Sequence, residues 1–218
     1  MRRTYAIIVL VALAALAPVT GTARQATPPP GAEVPGPEEC RVPPRSPEAL
    51  LAVFATPAAE PGAAATDVPA SGESRTVASE DEFPTGEPAD AATAEAVEAV
   101  VREFVACTNG RDFFRTFSLL SDGFLQAVVS EVGMPPTAAE LATVVAVPPT
   151  PRAEDDRTVI LAIRDARVFP DGRVGVVLVG DSLNDEDGPK PVLIVLVQTA
   201  ERWLVDATVV VDPEAAEP

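Results

Sequence analysis

The chain has 218 residues, 47% of them hydrophobic, which is enough for one domain or two small ones with a substantial core. Its 33 acidic and 16 basic residues give a net charge of −17. A surface of this charge repels phosphate backbones and anionic lipid headgroups, so we expect no nucleic-acid partner.

The first 23 residues predict a cleaved secretory signal peptide. Arg2 and Arg3 precede an unbroken apolar run of twelve residues, 6–17, and small residues then lead to Ala23. This order of positive charge, apolar run and small residues is typical of secretory signals. A membrane-spanning helix would need about 20 apolar residues. We therefore expect the mature protein to be secreted or extracytoplasmic, after cleavage near Ala23.

Residues 24–87 predict a Pro/Ala-rich disordered tether, because they offer too little apolar surface to offset the entropy cost of ordering. One short helix is expected within it, near 46–55, since Ser46 is a good N-cap and Pro47 fits the first helical position. Its apolar face consists of Leu50, Leu51 and Phe54. Two helical turns are marginal alone. This helix either docks on the rest of the chain or is a transiently helical piece of linker.

One folded domain is expected over residues 88–212, and its first part shows helical periodicity. A long helix is predicted from about residue 90 to Thr108, because apolar residues recur there at helical spacing. The following Asn109-Gly110 is predicted to be a left-handed stop. Further helices are expected after three candidate N-caps: Asp112, Ser121 and Thr137, the last in a capping box with Glu140.

The apolar period changes to that of strands after residue 157. Four segments rich in Val, Ile and Leu follow: 158–169, 173–181, 191–200 and 202–211. Their short connections predict an antiparallel meander. Helices followed by strands predict the α+β class, with helices on one face of the sheet. Residues 213–218 are expected to be a disordered tail.

Both faces of the predicted sheet are apolar. In the third strand, Leu193 and Val195 lie on one face while Ile194 and Leu196 lie on the other. An antiparallel sheet with one wet face would alternate apolar and polar residues. The helices cover one face, and a second subunit or the helix near 46–55 is expected to cover the other. We expect a homodimer through this sheet face.

Three short segments carry a family resemblance: 107–112 at the end of the long helix, 117–122 after it, and 201–206 in the last strand. Over about residues 88–211 the chain resembles the nuclear-transport-factor-two-like superfamily, which includes ketosteroid isomerase, scytalone dehydratase and polyketide cyclases. The resemblance implies a cone of N-terminal helices packed on a curved, mostly antiparallel sheet, with a cavity between them. It also implies frequent dimerisation through the sheet.

Two catalytic mechanisms of this superfamily cannot be carried over to this chain. The chain has no histidine, which excludes Ser-His and Cys-His nucleophiles, and its one tyrosine, Tyr5, lies in the leader. A ketosteroid-isomerase-like oxyanion hole needs a tyrosine, and a scytalone-dehydratase-like site needs a histidine. Two strand carboxylates remain as weak catalytic candidates, Asp165 and Asp206, provided that an apolar cavity raises the pKa of one of them.

Strand alternation places Asp206 away from the more apolar face of the last strand, which contains Trp203, Val205, Ala207 and Val209. A surface or ion-pair role is therefore favoured for it, as for Asp165. The acidic loop 181–188 is a poor calcium loop, because Leu183 stands where an acid is needed. We expect no metal and no cofactor.

Cys40 and Cys107 are the only cysteines, and exported proteins commonly form disulfides. We predict one bond between them, which would attach the helix near 46–55 to the end of the long helix. The alternative is a buried free thiol at Cys107 and a reactive one at Cys40.

The function that these observations favour is a non-catalytic module that binds a small apolar ligand or a protein partner. Candidate ligand-binding residues are the aromatic side chains Phe104, Phe113, Phe117, Phe124 and Trp203, each equally explained as ordinary core. The alternative is a carboxylate-dependent isomerase or cyclase centred on Asp165 or Asp206.

Overall fold

The computed structural model describes residues 31–56, 68–132, 136–182 and 188–212. The predicted leader and the tail 213–218 lie outside these ranges, as does most of the acidic loop. Within them the chain forms five α-helices and one six-stranded sheet. The predicted α+β class is confirmed.

The helices begin where local sequence predicts them to begin. They are α1 (Pro47–Ala55), α2 (Ala91–Asn109), α3 (Phe113–Ser118), α4 (Asp122–Val132) and α5 (Ala138–Val145). At each start, a side-chain oxygen accepts a backbone N–H of the first turn, which the helix itself leaves unpaired. These caps are Ser46, Asp90, Asp112, Ser121 and Thr137.

The α2 helix ends differently from the prediction. Gly110 has a right-handed backbone with φ −72°, and Arg111 is the left-handed residue with φ 50°. The N–H groups of Arg111 and Asp112 bond back to carbonyls of the last turn, at 3.1 Å each, which is a Schellman ending. The predicted left-handed stop at Asn109-Gly110 is wrong, because Asn109 continues the helix and uses its side chain in the long-range contacts described below.

The strands are β1 (Ser74–Val77), β2 (Glu87–Pro88), β3 (Thr158–Val168), β4 (Val174–Ser182), β5 (Lys190–Gln198) and β6 (Trp203–Val211). Their order across the sheet is β1-β6-β5-β4-β3-β2. Strands β3 to β6 form the predicted antiparallel meander. The sheet is mixed because β1 runs parallel to β6, and it is open because β1 and β2 form its two ends.

Six strands are present where the sequence analysis expects four, and the two additional strands draw on the segment assigned to a tether. β1 pairs with the edge of β6, and β2 pairs with the edge of β3. Earlier in the chain, Glu33 and Ile160 exchange two backbone hydrogen bonds of 2.8 and 2.7 Å. These short segments have little apolar surface, but the unpaired backbone groups of a sheet edge give them partners.

The main core lies between the helices and one face of the sheet. α2 contributes Val97, Val101 and Val105 to it, all buried. The strand residues beneath are Ile160, Val174, Val176, Leu178, Ile194, Leu196 and Val205. Leu50 of α1 is fully buried in the same core. The first of the two alternatives for this short helix, docking on the domain, is therefore the one observed.

A second core lies on the other face of the sheet, called here the outer face. Its strand residues are Val177, Leu193, Val195, Ala207 and Val209. Phe169 and three residues of the segment 68–83 cover them: Val68, Val77 and Phe83. The cover that was expected from α1 or from a second subunit thus comes from residues 68–83. The homodimer remains a prediction.

Candidate functional site

A disulfide between Cys40 and Cys107 positions the corner between α2 and α3, as predicted. Both cysteines are buried, in a small cluster with Val42, Ala106 and Leu119. Beyond Cys40 the chain runs along α3, where Arg45 N donates to Phe114 O at 2.9 Å. The N-terminal segment therefore holds α3, and with it several aromatic side chains, against the main core.

The five aromatic candidates occupy three kinds of position. Phe124 is buried within the main core, 4% exposed. Phe104, Phe117 and Trp203 are half-buried and pack against the surface of that core. Phe113 is also half-buried, but on α3 the aromatic residues that pack against the main core are Phe114 and Phe117. Phe104, Phe117 and Trp203 are called here the aromatic group.

Phe117 and Trp203 belong to two chain segments that pair directly. Leu120 and Val205 form a parallel bridge, with a 2.8 Å backbone hydrogen bond on each side of Val205. Phe117 precedes this bridge by three residues and Trp203 by two. Both aromatic residues are therefore within three residues of the bridge in sequence. Pairing across 85 residues of sequence is not visible in either segment alone.

Asp165 lies at an irregularity in the pairing of β3 with β4, with a left-handed backbone of φ 58°. Its side chain is 48% exposed and pairs with Arg164 at 2.5 Å. Arg164 also pairs with Glu80, and the hydrogen bonds to Glu80 and Asp165 raise the pKa of its guanidinium. Catalysis by Asp165 would need a desolvated carboxylate. The observed carboxylate is half-exposed and has a cationic partner.

Asp206 is buried, 3% exposed, at a β-bulge that the sequence analysis missed. Leu196 pairs with Val205 and Val195 with Ala207, so Asp206 is an extra residue in β6. One inserted residue reverses the alternation of faces beyond it. The prediction of a single apolar face running from Trp203 to Val209 is therefore wrong: Trp203 and Val205 face the main core, whereas Ala207 and Val209 face the outer core.

Arg173 neutralises the buried carboxylate of Asp206. Its Nη1 donates to Asp206 Oδ2 at 2.9 Å, its Nε to Asp171 Oδ2 at 2.8 Å, and its Nη2 to Pro69 O at 2.6 Å. Burial lowers the pKa of Arg173, but the hydrogen bonds to Asp171 and Asp206 outweigh burial and raise it. A reaction that needs Asp206 as a proton acceptor would first have to displace Arg173.

Asn109 is the polar residue with the most long-range contacts in this region, and the sequence analysis assigned it only to a turn. It is fully buried at the end of α2. Its Nδ2 donates to Pro35 O at 3.0 Å and to Thr158 O at 3.1 Å, and its Oδ1 accepts from Thr158 N at 2.8 Å. Its position at the end of a long helical pattern is the only sequence signal for it.

The chain was compared with family models, curated proteins and solved structures, and no match was found in any of the three. Within the described ranges, no group of three or more His, Cys, Asp or Glu residues is placed to hold a metal ion. None of the helices described above is both long and apolar enough to cross a membrane. The disulfide is compatible with an extracellular location.

Proposed function

We propose that this chain is an exported, non-catalytic domain of the nuclear-transport-factor-two-like type that binds a small apolar ligand at the aromatic group. Export rests on the order of charged, apolar and small residues in the leader, with which the disulfide agrees. The family type rests on the three sequence segments and on helices packed over one face of an antiparallel meander.

The observation that carries the binding proposal is the half-burial of three aromatic side chains from three different elements, α2, α3 and β6, on one core. Phe124, by contrast, is enclosed in the main core. Sites for small molecules are lined mainly by apolar and aromatic side chains, and a lining side chain must keep part of its surface accessible to the ligand. Large rings supply much apolar contact area at a small entropy cost, so a few of them are enough to hold a ligand.

Trp203 makes the proposal directly testable, because it is the only tryptophan and the only tyrosine is Tyr5 in the leader. Mature protein would be titrated with the neutral dye N-phenyl-1-naphthylamine, with excitation of the tryptophan and recording of both tryptophan and dye emission. Saturable quenching of Trp203 with matching dye emission is expected. Phe117→Ala should weaken dye binding about tenfold, or by roughly 1.4 kcal/mol.

The matched control is Phe113→Ala, which truncates the same residue type on the same helix outside the aromatic group. It should leave the dye affinity within about twofold of wild type. Wild-type protein that shows no saturable quenching contradicts the proposal. Equal losses in the Phe113 and Phe117 variants would also contradict it, because the effect would then not belong to the aromatic group.

A further inference from the structure

The end of α5 carries the most exposed large apolar side chains among the described residues. They are Val144, Val145 and Val147, with exposed fractions of 38, 53 and 64%. Leu141 is the α5 residue that enters the main core, and every residue from 142 to 151 is exposed. Contiguous exposed apolar surface on a folded protein marks an interaction site. This end of α5 is therefore apolar surface that the fold itself leaves in contact with solvent.

The chain continues from this apolar surface into residues 147–151, Val-Pro-Pro-Thr-Pro, called here the proline segment. The proline ring fixes φ at Pro148, Pro149 and Pro151. A residue that precedes a proline is confined to extended conformations, which applies to Val147 and Thr150. From residue 148 onward the segment forms no helix, strand, turn or bend, and its X–Pro bonds are trans. The segment is therefore extended in the manner of a polyproline II helix.

The proline segment is held at both ends by the folded domain. At its beginning, Val147 N donates to Val144 O at 3.2 Å, in the turn that ends α5. Just after it, Arg152 N donates to Asn109 O at 2.8 Å, and Asn109 is fully buried at the end of α2. A segment that is already extended and held at both ends loses little conformational entropy when a partner binds it. It differs in this respect from a free linker of the same composition.

The chemistry of the proline segment indicates what kind of surface can bind it. Three of its five residues have no backbone N–H, so its backbone offers carbonyl oxygens as acceptors. Residues 141–151 carry no charge, in a chain whose net charge is −17, so a partner does not have to desolvate an ion there. Tyrosine and tryptophan match both properties, because their rings give flat apolar contact and their O–H and N–H groups donate to carbonyls.

The spacing of the residues defines which edges of the proline segment can enter a groove. A polyproline II helix has three residues per turn. Pro148 and Pro151 therefore lie on one edge, Val147 and Thr150 on a second, and Pro149 alone on the third. A groove that binds the first two edges leaves Pro149 facing outward. This spacing of prolines is the one that aromatic-lined grooves recognise in polyproline II ligands.

We propose that the proline segment is a docking site for a second protein, whose groove is lined by tyrosine and tryptophan side chains. The exposed Val144 and Val145 extend the contact along the end of α5. The contact is short, so the complex is a transient one. This interaction is independent of the ligand proposed for the aromatic group, because it uses no residue of that group.

The first test titrates the full mature chain into two isotope-labelled probes, an SH3 domain and a WW domain, whose aromatic grooves bind polyproline II ligands. Saturable NMR shifts confined to the groove of at least one probe are expected, with a dissociation constant below about 1 mM. Pro151→Ala should weaken binding about tenfold. The matched control Pro149→Ala, on the outward edge, should stay within about threefold of wild type. Wild type that binds neither groove, or equal losses in the two variants, would overturn the proposal.

The second test looks for the partner in the cells that produce the protein. The photo-crosslinking residue benzoylphenylalanine is placed at Val145, beside the proline segment, and as a control at Thr199, which is exposed in the β5–β6 hairpin. The expected result is an adduct from position 145 alone. Its crosslinked peptide should contain tyrosine or tryptophan, and the purified partner should bind Pro149→Ala but not Pro151→Ala. An adduct between two copies of this chain, equal adducts from both positions or none from position 145 would refute the proposal.

Discussion

Asn109 and Thr158 form a reciprocal pair of hydrogen bonds, in which the Asn109 amide both donates to the carbonyl and accepts from the N–H of Thr158. The second Nδ2 proton goes to Pro35 O. One buried side chain thus joins the end of α2, the beginning of β3 and the N-terminal segment. The hydrogen bonds of the Asn109 side chain are complete only when all three elements are in place.

Asn109→Asp should therefore destabilise the protein by about 3 kcal/mol. A carboxylate oxygen would replace Nδ2 and would face two carbonyl oxygens to which it cannot donate. Asn109→Ala should cost less, about 2 kcal/mol, because it leaves unsatisfied groups but adds no repulsion. The measurement is urea unfolding of the oxidised protein. Thr108→Ala, at the half-buried neighbouring position, is the control and should cost under about 1 kcal/mol. Equal losses in the free energy of unfolding at both positions would contradict a particular contribution of the Asn109 hydrogen bonds to stability.

Arg111→Gly should stabilise the protein by about 1 kcal/mol, because glycine adopts the observed left-handed backbone without the Cβ clash. Arg111→Ala removes the same charge and keeps the clash, so it should give no gain. Thermal unfolding of the pair separates the two effects. A larger gain in stability for Arg111→Ala than for Arg111→Gly would show that removal of the charge, not the backbone conformation, controls stability at this position.

Replacing both cysteines, Cys40→Ala with Cys107→Ala, should destabilise the protein by about 4 kcal/mol. The bond joins residues 67 apart in sequence, and closing so long a loop restricts the unfolded chain strongly. Denaturant unfolding should show the loss as a lower midpoint. Wild type treated with reductant should approach the variant only slowly, because both cysteines are buried. A variant as stable as wild type would contradict the prediction.

Asp171→Asn tests the charge network around Arg173. Burial acts to raise the pKa of the Asp171 carboxyl, but the hydrogen bonds to Arg173 hold it below its ordinary value of 3.8. A pKa lowered in the folded state contributes stability above the ordinary value, and that contribution disappears as the pH falls below it. Wild type should be the more stable protein at about pH 7, with the difference in unfolding midpoint narrowing toward about pH 3.

The control for Asp171→Asn is Asp81→Asn, which removes one exposed negative charge from the 3-10 turn Glu80–Glu82. A difference between wild type and Asp171→Asn that stays constant down to about pH 3 would exclude the carboxylate as its source.

The helices and the meander could be predicted because their signals are local. The Ser46 and Thr137 caps act on N–H groups at most three residues away, so the sequence near each helix start contains all the participants. The four long strands have the β-branched composition and short connections of a meander. The disulfide could be predicted too, because two cysteines allow only one pairing.

The candidate site could be predicted only in part. Phe104, Phe117 and Trp203 were identifiable as aromatic residues of one domain, but the sequence does not distinguish a half-buried ring from an enclosed one such as Phe124. The bulge at Asp206 could not be predicted from the residue types of β6, because it depends on the register of β5 against β6. A one-residue shift in register changes which face every later side chain occupies.

Local sequence signals therefore predict the five helices, the four long strands, the α+β class and the single covalent crosslink. The positions of residues 31–56 and 68–88, the formation of β1 and β2, and the contact between Arg173 and Asp206 all depend on partners that are distant in sequence. The two groups differ in the sequence distance over which their interactions act. A cap or a strand propensity acts within a few residues, whereas a sheet edge offers its backbone groups to any segment of the chain that can reach it.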